Sequence, residues 1–121
     1  MNTEDQITRF VVRLNKETAS NEIAWTRYNG KYVIPDEEEV VGTPYLIDYH
    51  NKRFMLYQLR GKHYTDEETF SYYTGYGLDM VDNNCLRIRQ VTYESAVADL
   101  FDTVTLKQSG LEDFLDELFS E

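Results

Sequence analysis

Between Glu22 and Arg60 apolar side chains recur at every second residue, while at both ends of the chain they recur at three and four. That division constrains the fold more than any single motif. Near the N-terminus Thr3 and Gln6 are spaced as a capping box, and Glu4 and Asp5 fall in a first turn, where the helix dipole favours negative charge. Ile7, Phe10, Val11 and Leu14 follow on one face, so the spacing predicts an amphipathic helix over residues 4–15, although Phe10, Val12 and Leu14 also alternate as a strand would. The helical period returns after Ser95 with Val97, Leu100, Phe101 and Val104. Ser109 with Glu112 then opens a last helix bearing Leu111, Phe114, Leu115, Leu118 and Phe119.

The middle of the chain reads as strands. Ile23, Trp25 and Arg27 alternate with Ala24, Thr26 and Tyr28, and Asn29-Gly30 separates them from Lys31–Ile34. Asn-Gly between such runs predicts a hairpin that sets Trp25 opposite Ile34. Pro35 ends that unit, residues 36–44 read as a loop, and Tyr45–His50 and Arg53–Arg60 form a second hairpin about Asn51-Lys52. Thr65 with Glu68 predicts a short helix through Phe70 and Tyr73 that Gly75 and Gly77 end. Residues 78–84 read as a turn, and Leu86–Val91 as a further strand. Helices at the ends and strands between them give the α+β class: an antiparallel sheet of about five strands with N-terminal and C-terminal helices packed on it. At 121 residues, two cores would each be too small to stand without staples, so residues 1–121 read as one domain.

Chemistry-bearing motifs are sparse. His50 and His63 lie thirteen residues apart without a partner at metal-ligand spacing, and Cys85, the single cysteine, has no CxxC partner and no disulfide to make. The run Thr74-Gly75-Tyr76-Gly77-Leu78 lacks the lysine of a phosphate cradle. Asp79, Asp82, Asn83 and Asn84 lack EF-hand spacing and read as turn residues. No nucleophile, tuned base and orienting group can be nominated together, so the expectation is a binding protein and not an enzyme, with no cofactor and no metal. The single cysteine, the polar stretch Met1–Gln6 and the lack of a long apolar run point to the cytoplasm.

Charge carries the functional expectation. Twelve basic against 22 acidic residues leave a net charge of -10, which disfavours direct contact with nucleic acid or an anionic membrane and favours a cationic partner. The carboxylates cluster: Asp36, Glu37, Glu38 and Glu39; Asp66, Glu67 and Glu68; and Glu112, Asp113, Asp116 and Glu117. On the last helix Glu112/Asp116 and Asp113/Glu117 are like-charged i,i+4 pairs, each costing an isolated helix roughly 0.2–0.5 kcal/mol. No lysine or arginine on that helix relieves them. Four carboxylates in six residues give about one charge per 2.3 Å of helix, against about one per 1.7 Å along duplex DNA. Ten tyrosines, seven of them between Tyr45 and Tyr76, would serve as strand residues or as interface anchors.

In size, acidity and carboxylate clustering the chain resembles the small acidic bacterial and phage DNA-mimic proteins. That resemblance implies a partner that is a basic nucleic-acid-binding protein: a histone-like protein, a repressor or a nuclease. The three clusters are the candidate partner-binding residues. An immunity protein against a nuclease toxin and a small metal-dependent enzyme are the competing readings.

Overall fold

Asn2, and not Thr3, caps the first helix. Its side chain accepts a hydrogen bond from the Asp5 amide at 2.8 Å, and α1 runs Thr3–Ala19. The computed structural model describes residues 2–93 and 95–120. Met1, Glu94 and Glu121, which the one-domain reading and the polar N-terminal stretch include in part, lie outside the described residues. The helix outlasts its predicted end at residue 15 because Thr18 is tied in: its hydroxyl donates to the Leu14 carbonyl at 2.7 Å and accepts from the Trp25 indole at 3.0 Å.

Five strands follow, β1 (Thr26–Arg27), β2 (Glu39–Tyr49), β3 (Lys52–Tyr64), β4 (Phe70–Val81) and β5 (Arg87–Thr92), and then α2 (Ser95–Ser109) and α3 (Leu111–Phe119). The sheet is an antiparallel meander in chain order, which makes the class α+β. Its tightest turn is at His50-Asn51, both at positive φ (49° and 66°), one residue before the predicted Asn51-Lys52. Among the described residues no helix is long and apolar enough to cross a membrane.

Several predicted elements differ, among them the loop read over residues 36–44: β2 begins at Glu39, whose run Glu39–Val41 pairs with Gln58–Arg60 of β3. Asn29 and Gly30 do not take positive φ and make no hairpin. Thr26 and Arg27 pair with Leu46 and Tyr45 of β2, and residues 28–34 pass to the other side of the sheet. Trp25 and Ile34 therefore lie on opposite faces instead of facing each other. The helix expected from Thr65 is also absent. Asp66 Oδ1 accepts from the Glu68 and Thr69 amides at 2.8 Å each, the bonding of an N-cap, but here it closes the β3–β4 loop, and Phe70–Tyr73 continue as strand. The turn expected over residues 78–84 is the end of β4 as far as Val81. Asp82 Oδ1 then accepts from the Asn84 and Leu86 amides to make the turn into β5. The predicted Ser109 cap is replaced by Gly110, at φ 74°, which makes no side-chain bond.

The two sheet faces are buried differently. On one, Val11 and Leu14 of α1 and Val97, Leu100 and Val104 of α2 pack on Tyr45, Ile47, Phe54, Leu56 and Leu78. On the other, the crossing segment lays Tyr32 and Ile34 over Met55, Tyr57, Leu59 and Val81. Gly77 stands opposite Tyr57 in the register, and a Cβ built on it would meet the phenol ring and hydroxyl at 2.4 Å. Because that ring is fully buried, G77A is expected to cost about 1–3 kcal/mol, as overpacking does. A Cβ on Gly61 would meet the ring of Tyr73, which is exposed and can move, so G61A should stay within about 1 kcal/mol of wild type. Urea midpoints for the two variants check the contrast.

Candidate functional site

The far face of the sheet holds a densely bonded set of polar groups. Asp79 is fully buried, with Oδ2 accepting from Tyr32 Oη at 2.5 Å and Arg87 Nε at 2.8 Å, and Oδ1 accepting from Tyr57 Oη at 3.0 Å. Arg87 also donates to Tyr57 Oη at 3.0 Å. Burial pushes the Asp79 carboxyl above the usual range, against the pull of the Tyr32 bond and the Arg87 charge, and pushes both phenols up. Among the described residues no buried side-chain polar atom lacks a partner. Both Asp79 oxygens are committed to these bonds, and through Tyr32 the network ties the crossing segment to the sheet.

Beyond the helices the sheet narrows to two strands. Pairing with β2 stops at Arg60 and pairing with β5 begins at Leu78, so residues 61–64 and 70–73 form a β3–β4 ribbon with no third strand among the described residues. Alternation puts Arg60, Lys62 and Tyr64 on one face beside Thr74, Tyr72 and Phe70, their register partners. Arg60 lies 4.6 Å from the Tyr72 ring centre and Lys62 4.6 Å from that of Phe70, while Phe70 contacts Tyr64 at 5.7 Å and Tyr72 at 5.3 Å. Tyr64, Phe70, Tyr72 and Tyr73 all remain exposed. Reading 65–73 as a helix hid this cluster. The signal for it was the two-residue period of Lys62/Tyr64 and Phe70/Tyr72 on either side of an Asp-led loop.

Two of the acidic clusters stand on this ribbon. Glu38 accepts from Tyr73 Oη at 2.6 Å, which pushes that phenol up, and Glu39 is paired with Arg60. Asp36 and Glu38 line a cleft of about 510 Å³ with Tyr73, Tyr76 and Tyr93, while Glu37 is exposed beside them. Asp66 sits in the loop at the ribbon's tip, where the amides of Glu68 and Thr69 hold its carboxyl below the usual range, and Glu67 and Glu68 are exposed next to it. From Tyr73 to Phe70 is three residues, about 10 Å of strand.

The third cluster lies elsewhere. Glu112, Asp113 and Asp116 border a different cleft, of about 280 Å³, with Trp25, Lys107 and Gln108. The expected lack of a relieving cation holds for α3 itself but not for its neighbour. Lys107 of α2 bridges Glu112 at 2.7 Å, while Asp113, Asp116 and Glu117 are exposed. His50 and His63 are both exposed, and Cys85 is half-buried in the β4–β5 turn at φ 61°, with Arg53 Nη1 3.9 Å from its sulfur. Among the described residues no three His, Cys, Asp or Glu side chains are gathered to hold a metal ion. Comparison with protein-family models, with characterised proteins and with solved structures finds no match to this chain.

Proposed function

We propose that this chain is an acidic binding module that docks on the basic surface of a nucleic-acid-binding protein in a reducing compartment such as the cytoplasm, acting there as a DNA mimic or inhibitor. The carrying observation is the β3–β4 ribbon, one face of which groups exposed Tyr64, Phe70 and Tyr72, with Asp36–Glu39 at the base and Asp66–Glu68 at the tip. Aromatic anchors within a charged rim are the usual composition of an energetic hot spot. Stacked rings beside Arg60 and Lys62 would also suit single-stranded nucleic acid. Charge favours the basic protein partner, since the ribbon end sets two cations against seven carboxylates in a chain of net charge -10.

The test is affinity capture from a bacterial lysate, elution with rising salt, and displacement of labelled duplex DNA from the recovered partner. Wild type is expected to recover basic DNA- or RNA-binding proteins, to release them as salt rises, and to displace the duplex. Combining Y64A, F70A and Y72A, or reversing Asp36, Glu37, Glu67 and Glu68 to lysine, should weaken capture about tenfold or more with the urea midpoint little changed. Undiminished capture by both folded variants, or binding indifferent to salt, would overturn the reading.

A further inference from the structure

α3 is amphipathic, yet it is set against the molecule by its polar side. Leu111, Phe114, Leu115, Leu118 and Phe119 follow the i, i+3, i+4, i+7, i+8 spacing and occupy an arc of about 140° at 100° per residue. Such a stripe ordinarily faces a core. Here none of the nine residues is buried, and the two phenylalanines are 58% and 77% exposed. What borders the body of the protein is the acidic side, with Glu112, Asp113 and Asp116 lining the cleft beside Trp25. The Lys107–Glu112 bridge and the bond from the Leu111 amide to Ser109 Oγ, at 3.1 Å, fix that orientation at the first turn. The stripe leaves on the order of 500 Å² of mostly apolar surface in water, toward the upper end of the largest patch on an ordinary monomer.

We infer that α3 is a helical docking element that inserts its apolar stripe into a hydrophobic groove of another protein whose rims carry lysine and arginine. Two observations select that occupant. The carboxylates flank the stripe on both sides, Asp116 and the Lys107-bridged Glu112 next to Phe119 and Asp113 and Glu117 beyond Phe114, and no cation lies on the helix itself. A second copy packed stripe to stripe would bring those rows together, like charge against like, whereas basic rims would pair with them. The area agrees: about 500 Å² falls short of the roughly 800 Å² per partner of a standard stable interface, and suits one helix laid in a groove. This inference does not depend on the ribbon, which carries none of these residues.

The test places the photo-crosslinking residue p-benzoylphenylalanine at Phe114 or Leu118 of the full chain in bacterial cells, and maps the attached peptides by mass spectrometry. Expected are peptides of a different protein in which apolar residues border lysine or arginine, lost about tenfold or more when L115D is added. Reversing Asp113 and Glu117 to lysine should lower the same yield, while the urea midpoint of each variant stays near wild type because the stripe is already exposed. Peptides of this chain from a second copy or from its own sheet, crosslinks to lipid, crosslinks insensitive to L115D, or no crosslink at all would each overturn the inference. The ribbon variants Y64A, F70A and Y72A should leave the α3 crosslinks in place, so a failure of one surface is not mistaken for a failure of the other.

Discussion

Replacing Asp79 with alanine will destabilise the fold by about 3–5 kcal/mol, the usual result of removing one member of a buried ion pair. The loss compounds three effects: Arg87, largely buried, is left without its carboxylate, and the Tyr32 and Tyr57 hydroxyls each lose an acceptor. Tyr32 lies on the crossing segment and Tyr57 in the centre of β3, so the segment should loosen from the sheet before the helices do. Hydrogen exchange of the amides of residues 28–34 reads that order. D79N keeps an acceptor for one phenol and should cost less.

The same carboxyl sets a pH signature. Burial, opposed by Tyr32 and Arg87, raises its folded value above that of the unfolded chain. A raised acid contributes stability fully only below the unfolded value and loses it as pH rises through the folded one. The advantage of wild type over D79N should therefore shrink as pH rises from the acid side toward neutrality. Urea titrations of both proteins across that range check it, and a gap that widens with pH would show a carboxyl held low by Arg87 instead.

The architecture was legible where periodicity was unambiguous. Val97, Leu100 and Val104, and Tyr45, Ile47 and Tyr49, declare a helix face and a strand face that tertiary packing has no reason to override. Local signals failed where one chemistry serves two structures. The amide-accepting Asp66 suits an N-cap or a hairpin loop, and which forms is decided by the pairing of Gly61–Tyr64 of β3 with the residues that follow the loop, Phe70–Tyr73. Gly75 and Gly77 read as helix breakers, whereas their two-residue spacing marks the places where Leu59 and Tyr57 lie across β4. Asp79 read as a turn residue because its partners, Tyr32, Tyr57 and Arg87, are distant in sequence. The acidic clusters were legible as composition, but their pairing was not: Arg60 and Lys107, which bridge Glu39 and Glu112, belong to other elements.

Trp25 provides the second large effect. W25A should cost about 3–5 kcal/mol, the range for emptying a buried aromatic site, because the indole fills the space where α1, β1 and α2 meet. Trp25 is 3% exposed, its Nε1 donates to Thr18 at the end of α1, and its carbonyl accepts from Gln108 Nε2 of α2 at 2.6 Å. T18V separates packing from bonding: it keeps the volume, removes the acceptor, and should cost about 1–3 kcal/mol for a buried indole N–H left unpaired. If the bond is what matters at Thr18, then adding T18V to W25F, which has no N–H to strand, should cost much less than adding it to wild type. Equal costs in the two backgrounds would assign the loss to the Thr18–Leu14 bond. Because Trp25 also lines the cleft behind α3 with Glu112 and Asp116, W25A further tests whether the apolar stripe stays outward by design. Once the indole is gone the vacated space invites Leu111 or Leu115 inward, and crosslinks from Phe114 should shift from a foreign protein toward residues 18–25 of the same chain.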